Sequence, residues 1–281
     1  MSCHSPIYVK TNQFRQDVPV PCGKCPPCLK RRVDSWVFRL LQEDKVSTSS
    51  HFVTLTYDTR SVPISKNGFM TLDKKAFPAF MKRLRKNTGI KGIRYYACGE
   101  YGTKNDRPHY HAIIFNVPTV SAFADAWSYL DCGERVAFGQ LDVGQVSGDS
   151  IGYVCKYMDK RKQIPKHARD DRQPEFSLMS KGLGANYLTD QARRYHKSHL
   201  DQLYLTKPGG FRIAMPKYYR DKIFSDDEKK KQLHLVKHAC DLKIDEVDQV
   251  LIAQGVDPDL WRYERKLNTY FKFHRTNNRL L

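Results

Sequence analysis

Residues 99–115 read "GEYGTKNDRPHYHAIIF", and how this stretch folds decides the architecture of the chain. The segment "HYHAIIFNV" (109–117) runs into β-branched and aromatic residues, which predicts a strand. Side chains alternate between the faces of a strand, so His109 and His111 project to one side and Tyr110 to the other. "IRYYAC" (93–98) predicts a second strand, and the glycine, asparagine, aspartate and proline between the two predict a hairpin with a long connection. The simplest register of that hairpin sets Glu100 across from His109 and brings a carboxylate beside both imidazoles. Two imidazoles and one carboxylate make a facial set with open positions. Such a set suits a catalytic Mg²⁺ or Mn²⁺ that also grips a phosphate oxygen better than a closed structural zinc. A lone histidine on a strand is usually an ordinary core or surface residue. The shared face and the nearby carboxylate favour a metal site here.

The neighbouring segments extend this hairpin into a sheet. "HFVTLTY" (51–57) alternates and predicts a strand, and "LDKKAFPAFMKRLRKNTG" (72–89) predicts a basic helix running into Gly89, with Pro78 opposing its first half. "TVSAFADAWSYL" (119–130) predicts a helix, "VAFGQLDVGQV" (136–146) an extended segment, and "DSIGYVCKYMDKRK" (149–162) a helix with a serine or aspartate cap. The order β-α-β-β-α-β-α predicts an α+β fold, a central antiparallel β-sheet flanked by helices, in a domain of about 115 residues. Upstream, Val33, Trp36, Val37, Leu40 and Leu41 recur at helical spacing and predict an amphipathic helix. Beyond residue 165 the chain turns loop-rich and basic, then polar and helical in "EKKKQLHLVKHACDLK" and "DLWRYERKLNTYFKF". We divide it into a cysteine-rich segment with its helix (1–45), a central domain (46–165) and a helical C-terminal extension (166–281).

The composition indicates a partner. Lysine and arginine number 48 against 30 acids, a formal charge of +18 that repels itself unless a polyanion is nearby. Aromatic residues, 12% of the chain, add stacking surface for unpaired bases, so the expected partner is nucleic acid. No run of about 18 apolar residues is present, and "MSCHSPIYVK" lacks the pattern of a secretory signal. The expectation is a cytosolic protein without a membrane span. In that setting eight cysteines are thiols or metal ligands more often than disulfides. Cys22, Cys25 and Cys28 cluster in "CGKCPPC", and with Cys3 they could form a four-thiolate site for structural Zn²⁺. The fourth ligand could also be His4, or the cysteines could be reduced thiols in a turn.

In "IGYVCKYMDK", Ile151, Val154, Cys155 and Met158 form one apolar stripe at i, i+3, i+4 and i+7. The opposite face carries Tyr153, Lys156, Tyr157 and Lys160. The stripe is complete without the tyrosines, so burial does not account for their spacing of one turn. A phenol titrates near pH 10, and adjacent ammonium groups with a metal-polarised phosphate would make it a usable nucleophile near neutrality.

With these residues in place, the chain resembles the HUH endonucleases, the rolling-circle replication initiators. "FVTLTY", "RPHYHAIIF" with Glu100 upstream, and "YVCKYMDK" match their three motifs in order. The paired tyrosines, "PCGKCPPC" before a tryptophan-bearing helix, and "EFSLMSKGLG" are most similar to the initiators of gokushovirus-like microviruses, small single-stranded DNA bacteriophages. The resemblance implies an HUH endonuclease fold with RRM-like topology. It also implies that His109, His111 and Glu100 hold the divalent ion on the scissile phosphate of single-stranded origin DNA. Tyr153 or Tyr157 would attack, leaving a 5′-phosphotyrosine and a 3′-OH that primes host polymerase, and the second tyrosine would permit rejoining into a circle. Lys160 and Lys156 would neutralise phosphate charge, while Thr54 and Thr56 read as structural or DNA-positioning. The setting implied is the host bacterial cytoplasm. No GxxxxGK[ST] loop is present, so unwinding calls for a host helicase. Two other readings compete: a non-catalytic, zinc-stabilised nucleic-acid-binding protein, and a relaxase or single-strand transposase of the same superfamily.

Overall fold

The computed structural model describes the chain except residues 1–2, 12–13, 103–104, 158–163, 208 and 279–281, and except the side chains of 11–18, 149, 156–157, 274 and 276–278. The chain forms two units, Trp36–Asn186, and Met1–Ser35 with Tyr187–Leu281. The first strands, β1 (Ile7–Thr11) and β2 (Phe14–Val20), pair antiparallel. α1 (Pro26–Asp44) follows, with proline at its first position, where a missing N–H costs no helical bond.

The unit Trp36–Asn186 is built on the expected sheet. Its elements are β3 (Ser50–Thr56), α2 (Ala76–Thr88), β4 (Arg94–Tyr101), β5 (Pro108–Phe115), α3 (Ser121–Ala126), β6 (Ser128–Asp131), β7 (Glu134–Ala137), β8 (Leu141–Gln145), α4 (Gly148–Tyr157) and β9 (Phe176–Met179). Five strands pair antiparallel in the order β8-β3-β5-β4-β9, which makes the histidine strand the central one. The fold is therefore α+β, an antiparallel sheet flanked by helices, as the sequence predicts.

The two faces of the sheet have different roles. Val53, Leu55, Ala97, Tyr110, Ala112 and Ile114 share one face and are buried with Phe77, Phe80, Met81 and Leu84 of α2 and Phe123 of α3. Each large side chain buried there contributes about 1.5–3 kcal/mol. Tyr110 donates its hydroxyl to the carbonyl of Asp73 at 2.8 Å and lies 3.0 Å from the Tyr57 hydroxyl. Burial pushes the Tyr57 phenol up to about 12, so both phenols remain protonated hydrogen-bonding groups. The opposite face carries Thr54, Cys98, Glu100, His109 and His111. Trp36 of α1 packs on Tyr96 there, ring centroids 4.8 Å apart, and α4 buries Ile151, Val154 and Cys155.

Four local departures from the sequence reading have physical causes. α2 begins at Ala76 rather than 72, which puts Pro78 in the first turn, where N–H groups have no helical acceptor. α3 stops at Ala126; the apolar "WSYL" then enters the β6–β7 hairpin, whose turn residues Cys132 and Gly133 both take positive φ. The stretch 136–146 forms parts of two strands, β7 and β8, not one. β9 falls in the region read as loop and adds a strand to the edge of β4.

The other unit adds α5 (Asp190–Ser198), the antiparallel pair β10 (Tyr204–Thr206) and β11 (Arg212–Ala214), α6 (Lys217–Ile223), α7 (Asp226–Ala253) and α8 (Pro258–Asn278). Ser225 and Glu228 form a reciprocal capping box at the start of α7. Among the described residues no helix is long and apolar enough to cross a membrane.

Gly139, between β7 and β8, lies against the end of β3. A Cβ there would come within 2.5 Å of the Thr56 carbonyl and 2.6 Å of the Asp58 nitrogen. Both neighbours are backbone atoms that cannot step aside. Gly139→Ala is expected to destabilise the fold by about 2 kcal/mol or more, read as a lowered midpoint in urea unfolding.

Candidate metal centre and nucleophile

The β4–β5 register sets Glu100 opposite His109 and Cys98 opposite His111, and β3 sets Thr54 opposite His111. Antiparallel partners share a face, so the carboxylate and both imidazoles converge on one point. Glu100 Oε1 lies 2.8 Å from His109 Nε2 and 3.3 Å from His111 Nε2. Glu100 and His111 are buried, at 5% and 7% exposure, at the floor of the site.

The other nitrogen of each ring is occupied. His109 Nδ1 lies 3.0 Å from the Arg107 carbonyl and His111 Nδ1 lies 3.0 Å from the Thr54 hydroxyl. A carbonyl can only accept, so His109 donates its Nδ1 proton and the Nε2 lone pair is left for an ion beside Glu100. One ligand atom from each of Glu100, His109 and His111 lies within 4.8 Å of the others, and the group could hold a metal ion. The donor set fits the Mg²⁺ or Mn²⁺ read from the sequence; the geometry alone does not distinguish between them.

The loop from 102 to 107, which carries the Arg107 carbonyl, is fastened by charge. Lys166 Nζ and Arg172 reach Asp106 at 2.7 and 3.1 Å, and Arg172 is paired in turn with the buried Asp170 at 2.8 Å. The Arg172 guanidinium holds the Asp170 carboxyl well below the usual carboxylate range. Nothing in the local sequence marks these partners, because they lie some 60 residues from the loop they hold.

α4 brings a phenol to the same face. With its apolar stripe turned to the sheet, Tyr153 is 44% exposed, and its ring meets His111 edge-on at 5.7 Å between centroids and Phe52 at 6.1 Å. Tyr157 closes α4, but its side chain and that of Lys156 lie outside the described residues, as do Met158 and Lys160 altogether.

A second cluster lies in the other unit. One sulfur from each of Cys3, Cys22, Cys25 and Cys28 lies within 4.8 Å of the others. Cys3 and Cys25 are 3.8 Å apart, the edge of a tetrahedron with metal–sulfur bonds of about 2.3 Å. Backbone N–H groups of Cys22 and Cys25 donate to the sulfurs of Cys3 and Cys22, both at 3.3 Å. The N–H groups of Lys24 and Cys25 bring the Cys22 thiol down to about 6, whereas burial pushes Cys28 up to about 12. A cation would supply the charge that lets all four ionise. Of the alternatives open in the sequence, the structure brings the sulfur of Cys3 to the cluster.

Residues 50–162, from β3 through α4 and so including every residue of the Glu100 site, match the family model of replication-associated protein ORF2. Over that span the chain belongs to the ORF2 family of replication-associated proteins. Three curated relatives extend the similarity. Replication-associated protein ORF2 of Spiroplasma virus 4 is 28% identical over 273 residues, 90% of this chain and 83% of the relative. Replication-associated protein VP4 of Bdellovibrio phage phiMH2K is 26% identical across 72% of this chain and 66% of its own length. Replication-associated protein ORF4 of Chlamydia phage 1 is 27% identical across 78% of this chain and 57% of its own. No solved structure matches the chain significantly.

Thr54 acts on the site through His111. Thr54→Val keeps the shape of the side chain and removes the oxygen that fixes the ring. The expected result is a roughly ten-fold loss of Mn²⁺ affinity by isothermal titration, with the thermal midpoint little changed.

Proposed function

We propose that this chain is the replication initiator of a small single-stranded DNA phage, nicking and rejoining single-stranded DNA at the phage origin through a covalent 5′-phosphotyrosine. The observation that carries the reading is the convergence of Glu100, His109 and His111 with the Tyr153 ring on one face of the sheet. Family membership of the same span and the net charge of +18 support it.

Glu100 Oε1 and the two Nε2 atoms bind the divalent ion, and Arg107 and Thr54 keep the rings turned toward it. A Mg²⁺ or Mn²⁺ bound there supplies electrophilic polarisation of a non-bridging phosphate oxygen. Tyr153 then attacks phosphorus: the Oη–P bond forms, the P–O3′ bond breaks, and the leaving 3′ oxygen takes up a proton as the phenol gives one up. The tyrosine keeps the 5′ phosphate and the free 3′-OH primes host polymerase. Tyr157, one turn later, provides the second phenol, which cuts the regenerated junction while the 3′-OH displaces the first. Lys156 and Lys160 neutralise phosphate charge, an assignment that rests on their sequence positions. A host helicase opens the duplex ahead of the polymerase, and the reaction takes place in the host bacterial cytoplasm.

The thiolates of Cys3, Cys22, Cys25 and Cys28 hold a structural Zn²⁺ that ties the N-terminal residues to the start of α1. Elemental analysis of purified protein is expected to find one zinc per chain, lost in Cys25→Ser. Zinc at the same stoichiometry in that variant would place it elsewhere.

Denaturing gels of labelled origin single strand with Mn²⁺ test the chemistry. Wild type is expected to nick and to remain on the 5′ side of the cut. His109→Ala combined with His111→Ala should lower cleavage at least a hundred-fold. Each of Tyr153→Phe and Tyr157→Phe should retain some cleavage, and only the double variant should abolish the adduct. Unchanged cleavage by the histidine pair variant would refute the metal assignment.

A further inference from the structure

The two longest C-terminal helices expose apolar stripes. On α7, Leu233, Val236, Cys240, Ile244 and Val247 recur at intervals of three and four residues and so fall on one face. Leu233, Ile244 and Val247 there are 46%, 46% and 43% exposed. On α8, Leu260, Tyr263, Leu267 and Phe271 repeat the pattern at 56%, 58%, 37% and 69% exposure. A water-facing helix has no use for such a stripe, whereas scattered single hydrophobics are ordinary. The seven exposed side chains together leave roughly 700 Å² of surface uncovered, close to the ~800 Å² each partner brings to a stable protein interface.

The flanking charge is complementary between the two helices. Beside its stripe α7 carries Asp241 and Asp245, and α8 carries Arg265 and Arg275. The short connection 254–257 makes the two helices consecutive, with Asp248 of α7 paired to Arg262 of α8 near the turn. One surface thus presents an acidic apolar helix next to a basic apolar one. That surface is self-complementary under a two-fold axis, which sets α7 of one copy on α8 of the other.

We propose that α7 and α8 form a homodimerisation hairpin, each burying its stripe against a second copy of this chain in a four-helix arrangement. The inference is independent of the nicking chemistry.

Light scattering coupled to size exclusion on the full chain tests it. At micromolar concentration wild type is expected to run at twice the mass of one chain. Leu267→Glu with Phe271→Glu should halve that mass and leave the helical circular dichroism intact, since both side chains are exposed. A charge exchange adds a second arm. Asp241→Lys with Asp245→Lys, and separately Arg265→Glu with Arg275→Glu, should each weaken self-association, and mixing the two should restore a dimer. A wild-type mass of one chain, whether the stripes are then covered by another partner or by the chain itself, would overturn the proposal. So would a dimer untouched by the paired glutamates.

Discussion

The pairing of Glu100 with His109 across β4 and β5 is the constraint on which the site depends. A strand has a side-chain period of two, so a slip of one residue would send both histidines to the α2 face and Tyr110 to the α4 face. The core resists that slip. Tyr110, Ala112 and Ile114 are buried without exposure on the α2 side, and the Tyr110 hydroxyl is bonded to Asp73 and Tyr57. Packing on one face therefore specifies the chemistry on the other. The residues that fix the register never touch the candidate metal position.

A second layer holds the rings in place. The Arg107 carbonyl and the Thr54 hydroxyl each take one nitrogen of one imidazole, and the ion network of Lys166, Asp106, Arg172 and Asp170 holds the loop that supplies the first. Oriented ligands lose little freedom when an ion binds, so this layer favours a preformed centre. α4 meets the same face by burying Ile151, Val154 and Cys155, and the same burial leaves the Tyr153 ring beside His111. Thus a core stripe, which is a stability feature, also sets the position of the candidate nucleophile.

The parts legible in the sequence were those governed by local periodicity. The alternation in 109–117 and the hairpin register place Glu100, His109 and His111 together, and the i, i+3, i+4, i+7 stripe of α4 turns Tyr153 away from the core. The cysteine spacing likewise anticipates a cluster, although only the fold brings Cys3 to it. Less legible were features set by distant contacts. β9 has four residues and no alternation strong enough to announce a strand, yet it completes the sheet beside β4. "WSYL" satisfies a helical period as well as a strand, and the tight turn at Cys132–Gly133 decides between them. Asp170 and Arg172 lie in a segment that reads as a basic loop; their buried pairing depends on the loop from 102 to 107 folding over them.

The most direct test of the account is to identify the residue that becomes linked to DNA. After reaction with origin single strand and Mn²⁺, the covalent complex is digested and the nucleotide-bearing peptide sequenced by mass spectrometry. The account predicts a 5′ phosphodiester on Tyr153 or Tyr157 in α4, formed only when the ion is present. A linkage to a residue outside α4, or one that forms equally well with the ion chelated, would contradict it.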